Sequence, residues 1–401
     1  MALDRMKILW VGPFLLHPTR SGNQIRTLGI IKELHKRHEV HFAALSSKRN
    51  RDEGVAHASE YCSHLHVVPH EAHHRASIRF LPELVGSLFD PLPLTTRRYA
   101  SPLLRAEVAR LTSSHRFDAI VADFLTSVSN VPSIKDAILF QHNTETVIWE
   151  RLASHASTPF HRHYYALQAR RMERFERNAC RNARHVIAVS PVDAAQFRDR
   201  YQAERVSPVG TGVDVDYFAP PATAPFVSDI VFTGGMDWLP NMDGISYFGR
   251  EILPLILKAR PATTVTVVGR NPLPEILQLA ERNPHIRVTG TVPDIRPYLW
   301  GSSISIVPLR VGSGTRLKIY EAMAAGVSVV STTIGAEGLD YRDGENIAIA
   351  NSPERFAGAC IDLLTQDTRR RAQAAAGLAF VRAHYSWDAI SRDFEDILRA
   401  A

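Results

Sequence analysis

The amino-acid sequence predicts an α/β protein made of two doubly wound domains. Its 401 residues exceed what one ordinary core accommodates, so two domains of roughly 180–200 residues each are expected. Short apolar runs alternate with longer amphipathic segments in both halves, which is typical of parallel sheets covered by helices. This rhythm breaks near residues 207–214 and prolines follow the break. We therefore expect an N-terminal domain over 1–208 and a C-terminal domain over 209–385.

The first half shows the alternation from its beginning. Residues 7–11 form an apolar run that ends in Gly12-Pro13, as a buried strand entering a turn does. The next segment carries apolar residues at helical spacing. The expected strands are 7–11, 40–45, 64–68, 119–122, 137–140 and 185–189, and the expected helices are 24–37, 97–113 and 160–184.

The second half repeats the alternation after the break. Its expected strands are 230–233, 264–268, 286–289, 304–308 and 327–331, and its expected helices are 242–258, 274–282, 315–325 and 389–398. Because parallel strands of open α/β sheets place ligands at their carboxyl ends, we expect the functional residues to follow these strands.

The net charge of +6 is unevenly distributed along the chain. Residues 1–210 contain 29 Lys and Arg against 20 Asp and Glu, whereas the remainder contains 18 against 21. A basic first half suits an anionic lipid surface or a diphosphate-linked acceptor, and a solvated surface without a partner is the alternative. Nucleic acid is not expected, because Glu173 and Glu176 dilute the basic stretch 170–177 and no nucleic-acid-binding signature is present.

The cysteines and the apolar runs bear on the compartment and on metal binding. The three cysteines lie far apart without metal-ligand spacing, and no run of about 18 apolar residues occurs. We expect a cytoplasmic protein with no disulfide, no metal site and no cofactor. The run His70-Glu-Ala-His73-His74 has some metal-like spacing, but it lies in an expected loop and is not predicted to bind a metal.

Residues 307–330 contain the most informative pattern in the sequence. A strand ends near Pro308, a glycine-containing turn follows, and a helix begins near Thr315. The amides of Gly312, Ser313, Gly314 and Thr315 then face an anion at a helix N-terminus, and Arg316 and Lys318 add positive charge. Glu321 lies one turn further on, where its carboxylate can accept from ribose hydroxyls. The alternative is an ordinary solvated helix in which Lys318 and Glu321 form an i,i+3 ion pair.

This segment resembles the donor loop of the retaining, GT-B-fold glycosyltransferases called group 1 or family 4. Their signature has two glutamates, the second followed by Ala-Met-Ala-x-Gly, and Glu321-Ala-Met-Ala-Ala-Gly326 matches that part. Ser313 stands where the family has its first glutamate. The pattern Arg-x-Gly-Ser-Gly-Thr-Arg-x-Lys resembles a subgroup that assembles polysaccharides. The resemblance implies two Rossmann-like domains facing a cleft, with residues 386–401 crossing back to the N-terminal domain as a helix.

Other segments resemble the family in the expected order. The loop around Gly22 is similar to one that faces the donor phosphates and the acceptor, and Gly235 lies in the segment where many members carry an Arg and a Lys that are missing here. Segments containing Gly269 and Val292 are similar to strand ends that bracket the nucleobase. Trp387 precedes the segment that resembles the crossing helix. The resemblance therefore covers nearly the whole chain.

His142 is the expected catalytic residue of the N-terminal domain. It follows the strand 137–140, and the family places a histidine at such a strand end, in contact with the donor sugar. A neutral imidazole there can orient the sugar, with a peptide carbonyl accepting from its N–H. The alternative is a structural histidine at the edge of the core.

The resemblance implies transfer of a sugar from a nucleotide-diphosphate sugar to a hydroxyl, with retention of anomeric configuration and without a metal. The acceptor is a glycan, a lipid-linked molecule or a small molecule. Arg316 and Lys318 are then catalytic, because they stabilise the departing diphosphate. Two alternatives remain at this point, a sugar-nucleotide epimerase or hydrolase on the same fold, and a non-catalytic partner subunit that Ser313 makes plausible.

Overall fold

A computed structural model describes residues 5–401, with the exception of residues 20, 72–79, 155, 157, 237 and 312–315. The described chain separates into two compact units. One unit comprises Met1–Gly210 together with Ile390–Ala401, and the other comprises Thr211–Ala389. Among the described residues, no helix combines the length and the apolar character needed to cross a membrane.

Thirteen strands and sixteen α-helices are found in the described chain. The strands are β1 Lys7–Gly12, β2 Glu39–Ser46, β3 His64–Pro69, β4 Ala119–Asp123, β5 Ile138–Phe140, β6 His185–Ala188, β7 Val206–Pro208, β8 Ser228–Thr233, β9 Val265–Val268, β10 Ile286–Val288, β11 Ser302–Val307, β12 Ser328–Ser331 and β13 Ala348–Ile349. The helices are α1 Gly22–Arg37, α2 Arg51–Ala56, α3 Phe80–Phe89, α4 Leu94–Tyr99, α5 Pro102–Ser114, α6 Glu145–Ser154, α7 Pro159–Asn182, α8 Pro191–Tyr201, α9 Leu239–Tyr247, α10 Leu253–Ala259, α11 Pro274–Arg282, α12 Arg296–Trp300, α13 Leu317–Ala324, α14 Pro353–Thr365, α15 Asp367–His384 and α16 Trp387–Ala400.

Each unit is built on one parallel sheet, which confirms the predicted fold class. The N-terminal sheet has the order β3-β2-β1-β4-β5-β6-β7, and the C-terminal sheet has the order β10-β9-β8-β11-β12-β13. In both sheets the order reverses beside the first strand of the unit, between β1 and β4 and between β8 and β11. The carboxyl ends of strands at such a reversal form the usual ligand crevice of an open α/β sheet.

Several helical segments differ from the sequence expectation. The helix expected over 97–113 is two helices, α4 and α5, because Pro102 cannot continue a helix and restricts the residue before it. The helix expected over 242–258 contains one π-helical turn at Phe248–Ile252 between α9 and α10. Helices α14 and α15 were not predicted, although Ser352 caps α14 by accepting the amide of Arg355.

The strand β7 was also not predicted. The sequence places residues 207–214 in the linker, because a proline and two glycines interrupt the apolar pattern there. In the structure Val206–Pro208 pairs with β6 as the edge strand of the N-terminal sheet. Pro208 is tolerated because it ends an edge strand, where a missing backbone donor leaves no interior ladder bond unmade.

The C-terminal helix α16 packs on the N-terminal sheet from residue 390 onward, as the resemblance implies. The buried ring of Phe394 stacks on Trp10, with ring centroids 5.4 Å apart, and meets the edge of Phe140 at 5.1 Å. Glu395 accepts a hydrogen bond from Nε of Arg37 at 2.9 Å and lies 3.2 Å from Nε2 of His38. These contacts make the last turns of the chain part of the N-terminal core.

A close backbone contact follows β8 and β9 in the C-terminal unit. Gly234 donates its amide to the carbonyl of Val268 at 2.9 Å, which brings its own carbonyl against Gly269. A Cβ atom on Gly269 would lie 1.7 Å from the Gly234 oxygen. A side chain at position 269 therefore cannot be accommodated without moving one of the two strand ends.

We predict that Gly269→Ala lowers the free energy of unfolding by about 1–3 kcal/mol, which is the usual cost of overpacking. Urea denaturation measures this change. The matched control is Gly358→Ala in the middle of α14, where an added Cβ meets nothing within 4 Å. That control should stabilise the protein by up to about 1 kcal/mol, because alanine is the better helix former. Equal midpoints for the wild type and Gly269→Ala would contradict the contact.

Candidate functional site

Most residues singled out in the C-terminal half of the sequence lie near the carboxyl ends of β8, β9 and β11. Strand β8 ends at Thr233 and leads into the glycine pair 234–235, while β11 ends at Val307 and leads toward α13. Residues 312–315, which include the predicted Gly312, Ser313, Gly314 and Thr315, lie outside the described residues. The site is therefore built from the residues on either side of them.

Lys318 lies in the first turn of α13 and points across the end of β8. Its Nζ donates to Oδ1 of Asn241 at 2.8 Å and lies 4.3 Å from the centroid of the Phe232 ring. Gly234 makes room for it, because a Cβ at that position would come within 2.6 Å of the ammonium nitrogen. The backbone of Gly234, with φ of +153°, also disfavours a side chain.

Two cations are held here with little solvation. Burial lowers the pKa of Lys318 to about 7, against the opposing effect of Glu321, and the charge of Arg316 lowers it further. Arg316 is 5% exposed, its guanidinium carbon lies 4.8 Å from the centroid of the Trp238 ring, and burial lowers its pKa as well. Water does little to stabilise the charge of buried cations, so a nearby anion stabilises them strongly. This corner therefore favours an anionic ligand.

Glu321 follows Lys318 on the same helix and is half-buried. Burial raises the pKa of its carboxyl group, and the charge of Lys318 opposes that rise. Among the described residues the ion pair between these two residues that the sequence left as an alternative is not formed, and Nζ of Lys318 donates to Asn241. Within the described part of the chain the Glu321 carboxylate accepts no hydrogen bond. It is thus available to accept from hydroxyl groups.

A third cation of the same segment has a structural role. Arg310 donates to both carboxylate oxygens of Asp243, at 3.1 and 2.6 Å, and its guanidinium carbon lies 4.4 Å from the centroid of the Tyr247 ring. A guanidinium that is already paired in this way adds little free charge to the corner. The structure therefore separates Arg310 from Lys318, whose ammonium group donates to the neutral amide of Asn241, although both belong to one motif.

In the N-terminal unit His142 follows β5 and meets the end of β4. Its Nε2 lies 2.7 Å from Oδ1 of Asp123, and both side chains are buried. The expectation that a peptide carbonyl accepts from the imidazole is wrong, because the carboxylate of Asp123 is the acceptor. The second oxygen of Asp123 accepts from Nε1 of Trp10 at 3.1 Å and from Oγ1 of Thr27 at 2.9 Å. Asp123 thereby fixes the orientation of the imidazole ring.

Burial keeps the His142 ring neutral. Loss of solvation lowers its pKa, the carboxylate of Asp123 opposes this effect, and the charge of Arg26 adds to it. Since Nε2 donates to Asp123, Nδ1 of the neutral ring carries the lone pair. This buried atom has no hydrogen-bond partner among the described residues. Nδ1 is thus an unused acceptor that has almost no contact with solvent, so a ligand hydroxyl reaches it only if neighbouring side chains move.

The backbone beside His142 is held from two directions. The buried guanidinium of Arg26 donates to the carbonyls of Gln141, at 3.5 Å, and Val209, and lies 4.6 Å from the Phe140 ring centroid. Burial lowers the pKa of Arg26 to about 9. On the other side, Glu176 accepts from the side chain of Gln141 at 3.2 Å. These contacts restrict the segment that carries the imidazole.

The loop before α1 ends in a capped helix. Ser21 and Gln24 form a capping box, and Gly22 is the first helical residue. An added Cβ on Gly22 would meet nothing within 4 Å, so packing does not require glycine at this position. The predicted role of Gly22 toward a donor therefore stays a prediction.

Comparison with known proteins identifies the family. The family model described as "Glycosyl transferases group 1" matches residues 227–366, and the model described as "Glycosyltransferase Family 4" matches residues 21–217. The two matches together cover most of the chain, and they contain both Lys318 and His142. The chain belongs to the group 1 glycosyltransferases. The predicted family and the prediction of an enzyme are thus confirmed.

Two curated relatives resemble this glycosyltransferase in sequence. An uncharacterised 44.6 kDa protein from the cps region of Klebsiella pneumoniae is 23% identical over 300 residues, covering 70% of this chain and 74% of that protein. The phosphatidyl-myo-inositol mannosyltransferase of Mycobacterium tuberculosis is 26% identical over 224 residues, covering 52% of this chain and 58% of that enzyme. The second alignment thus spans little more than half of each protein.

Solved structures share the fold of the glycosyltransferase along its whole length. Sucrose-phosphate synthase from Thermosynechococcus elongatus matches with a TM-score of 0.67 at 17% identity, covering 99% of both chains. The Anabaena protein Alr3699/HepE, solved in complex with UDP and glucose, matches with a TM-score of 0.61 at 15% identity, covering 99% of this chain and 100% of that one. At this level of identity the likeness establishes the GT-B fold.

The remaining predicted donor residues of the glycosyltransferase have the following surroundings. The carbonyl of Gly235 accepts from Nδ2 of Asn241 at 2.8 Å, which ties the glycine pair to α9. Gly269 is required by the backbone contact with Gly234 described above. Val292 is partly buried against the C-terminal core. Their roles toward a donor stay predictions.

Two residues that position side chains of the candidate site were missed by the sequence reasoning. Asn241 holds both Lys318 and Gly235, and Asp123 holds His142. A signal existed for each, since Asp123 is an acid at the end of an expected strand and Asn241 follows the glycine pair after another. The partner of each was not predictable from spacing, because the interacting residues are separated by 77 and 19 positions.

We predict that the dissociation constant for a nucleoside diphosphate rises by about tenfold between pH 7.5 and 8.5. The protonated form of Lys318 binds the anion, and since its pKa without ligand is about 7, raising the pH converts it to the neutral amine. Isothermal titration calorimetry at several pH values measures this slope. Lys318→Met should lose the slope and Lys258→Met, at an exposed lysine of α10, should keep it. A slope that survives in Lys318→Met would disprove this assignment.

We predict that Asp123→Asn lowers kcat roughly 10–100-fold, which corresponds to losing one hydrogen bond to a charged group. Asparagine at position 123 has no negative charge, so it no longer opposes the lowering of the His142 pKa by burial. It also no longer fixes the tautomer of the His142 ring. Steady-state kinetics with the identified donor measure the change. Asp136→Asn is the matched control, because Asp136 is exposed in the same unit. Unchanged kcat in Asp123→Asn would contradict the positioning role.

Proposed function

We propose that this glycosyltransferase transfers a sugar from a nucleoside-diphosphate sugar to an acceptor hydroxyl with retention of anomeric configuration. The observation that carries the proposal is the pair of poorly solvated cations, Arg316 and Lys318, beside the available carboxylate of Glu321. Positive charge suits the diphosphate, and a carboxylate accepts from the two ribose hydroxyls. The three groups together match a nucleoside diphosphate better than they match either a free sugar or an inorganic phosphate.

The two cations act on the leaving group. As the bond between the anomeric carbon and the diphosphate oxygen breaks, negative charge grows on that oxygen, and positive groups fixed nearby lower the barrier. Because their solvation is already lost, no water has to be removed from them during the reaction. For His142 the family resemblance implies a role in orienting the sugar, and the unused acceptor Nδ1 is the atom that would serve it. In a retaining transfer the acceptor hydroxyl approaches the face from which the diphosphate departs.

This proposal assigns the neutralisation of the diphosphate to side chains and not to a metal ion. The sequence contains one Asp-x-Asp pattern of the kind that binds metals in other transferases, at Asp214 and Asp216. Oδ1 of Asp214 accepts the amide of Tyr217 at 2.8 Å, so this carboxylate caps a turn. We therefore assign the pattern a structural role.

The N-terminal unit offers a cavity for the acceptor. It has a volume of about 310 Å³ and lies beyond the carboxyl ends of β1 and β2. Hydroxyl, amide and imidazole groups line it together with aromatic rings: Phe14, Ser21, Gln24, Ser46, Asn50 and Tyr99 are among the lining residues. Polar groups interleaved with rings suit a sugar hydroxyl acceptor, which presents both hydroxyls and apolar ring faces. We propose that the acceptor binds there.

The test begins with a panel of nucleotide sugars, since a bound donor raises the melting temperature by mass action. With the donor and acceptor in hand, NMR of the product should show the anomeric configuration of the donor, while donor incubated alone should stay mostly intact. Inversion would reject the retaining mechanism, and rapid conversion of the donor alone would indicate a hydrolase or an epimerase.

Variants of the three groups test the site itself. Arg316→Ala and Lys318→Ala should lower kcat/KM about 100-fold or more, as for the removal of one group that stabilises a developing oxyanion. Glu321→Ala should weaken binding of the nucleoside diphosphate while the melting temperature of the free protein stays close to that of the wild type. Near-normal kinetics and binding in all three variants would refute the site.

A further inference from the structure

We propose that Glu39, His41 and His64 form a binding site for a divalent transition-metal ion of the zinc type at the amino-terminal edge of the N-terminal sheet. The side chains come from the first residues of β2 and β3. This edge is opposite the one that carries His142, because all strands of the sheet are parallel. The site is therefore separate from the transfer reaction.

The strand register brings the three side chains together. His41 and His64 are direct partners in the parallel pairing of β2 and β3. Glu39 precedes His41 by two residues, so the alternation along a strand places both on the same face of the sheet. Oε1 of Glu39 lies 3.0 Å from Nε2 of His41 and 3.7 Å from Nε2 of His64. The ligand atoms of all three residues lie within 4.8 Å of one another.

These spacings are those of a tetrahedral metal site. With metal–ligand distances of about 2.0–2.1 Å, two ligands of a tetrahedral zinc ion are separated by roughly 3.3 Å. The two measured separations, 3.0 and 3.7 Å, bracket that value. Two imidazoles and one carboxylate are also a known zinc ligand set, with a water completing the tetrahedron.

A second layer of residues orients the central ligand. Nδ1 of His41 lies 3.3 Å from Nε2 of His66, and Nδ1 of His66 lies 3.3 Å from Oε1 of Glu107. This chain leads from the imidazole to a carboxylate, which is how metal-ligating histidines are usually fixed in one tautomer. It leaves Nε2 of His41 directed at Glu39. A merely accidental group of surface histidines would not need such a chain.

A metal ion there would hold an edge strand in place. β3 is the last strand of its sheet, and of its six residues only Val68 is fully buried. Apolar burial therefore contributes little to its attachment. A bond from His64 to a metal shared with His41 and Glu39 would tie β3 to β2 at the point where β3 begins. The proposed role is thus structural.

One neighbouring cation competes for the site. Nζ of Lys7 lies 3.0 Å from Oε1 of Glu39, the same oxygen that faces the two imidazoles. Lys7 is the register partner of Glu39 on β1, and its side chain is 31% exposed, so the ammonium can move to solvent. Binding of a metal requires that movement. Removal of the lysine charge should therefore strengthen metal binding.

The experiment measures zinc binding to the full chain after chelator treatment, by competition with a chromophoric chelator. The wild type should bind zinc at a site that His64→Ala removes. His64 has a side chain that is 54% exposed, so its replacement should leave the fold intact, which circular dichroism checks. His57→Ala is the matched control, because His57 belongs to the other histidine–carboxylate trio, with His17 and Glu60. The proposed site should survive that replacement.

Lys7→Met supplies the reciprocal test, with a zinc affinity at least severalfold tighter than that of the wild type. X-ray absorption at the zinc edge should show a four-coordinate ion with imidazole ligands. No zinc binding by the wild type, equal binding by His64→Ala, or loss of binding in His57→Ala would each overturn the proposal. Unchanged affinity in Lys7→Met would contradict Glu39 as a ligand and thereby the three-residue site.

Discussion

The C-terminal site depends on the contact between two backbones, at Gly234 and Gly269. This contact fixes the path of the chain after β8, and that path presents the carbonyl of Gly235 and the space above Gly234 to the next elements. Asn241 uses one end of its amide to hold the carbonyl and the other to receive Lys318. The ammonium group of Lys318 can therefore take this position because residues 234 and 269 are glycines without side chains.

The N-terminal site is built on a buried charge. The carboxylate of Asp123 lies in the core and is tolerated there because Trp10, Thr27 and His142 all donate to it. Trp10 in turn stacks on Phe394 of α16, so the C-terminal helix completes the wall behind this network. Loss of solvation is the common theme of both units. It lowers the pKa of His142 in the N-terminal unit and of Lys318 in the C-terminal unit.

Much of the fold was predictable because parallel sheets have strong local signals. Buried strands such as β1 and β5 are short apolar runs, and turn residues separate them from helices. One error overlooked a local signal, because Pro102 divides one amphipathic stretch into two helices. Another error had no local signal, because β7 becomes a strand only where β6 offers it an edge. In the site, the motif around Glu321 identified the cationic corner, but it did not distinguish Arg310, which is paired with Asp243, from Lys318, which meets the neutral amide of Asn241.

The sequence by itself determined the fold class, the family and the residue types of the cationic corner, because periodicity and motif spacing are properties of neighbouring residues. Only the tertiary structure decided which groups meet: Lys318 with Asn241, His142 with Asp123, and His41 with His64. Each of these pairs joins residues that follow or begin different strands. Their proximity is set by strand order and register, and no spacing along the chain encodes either of them.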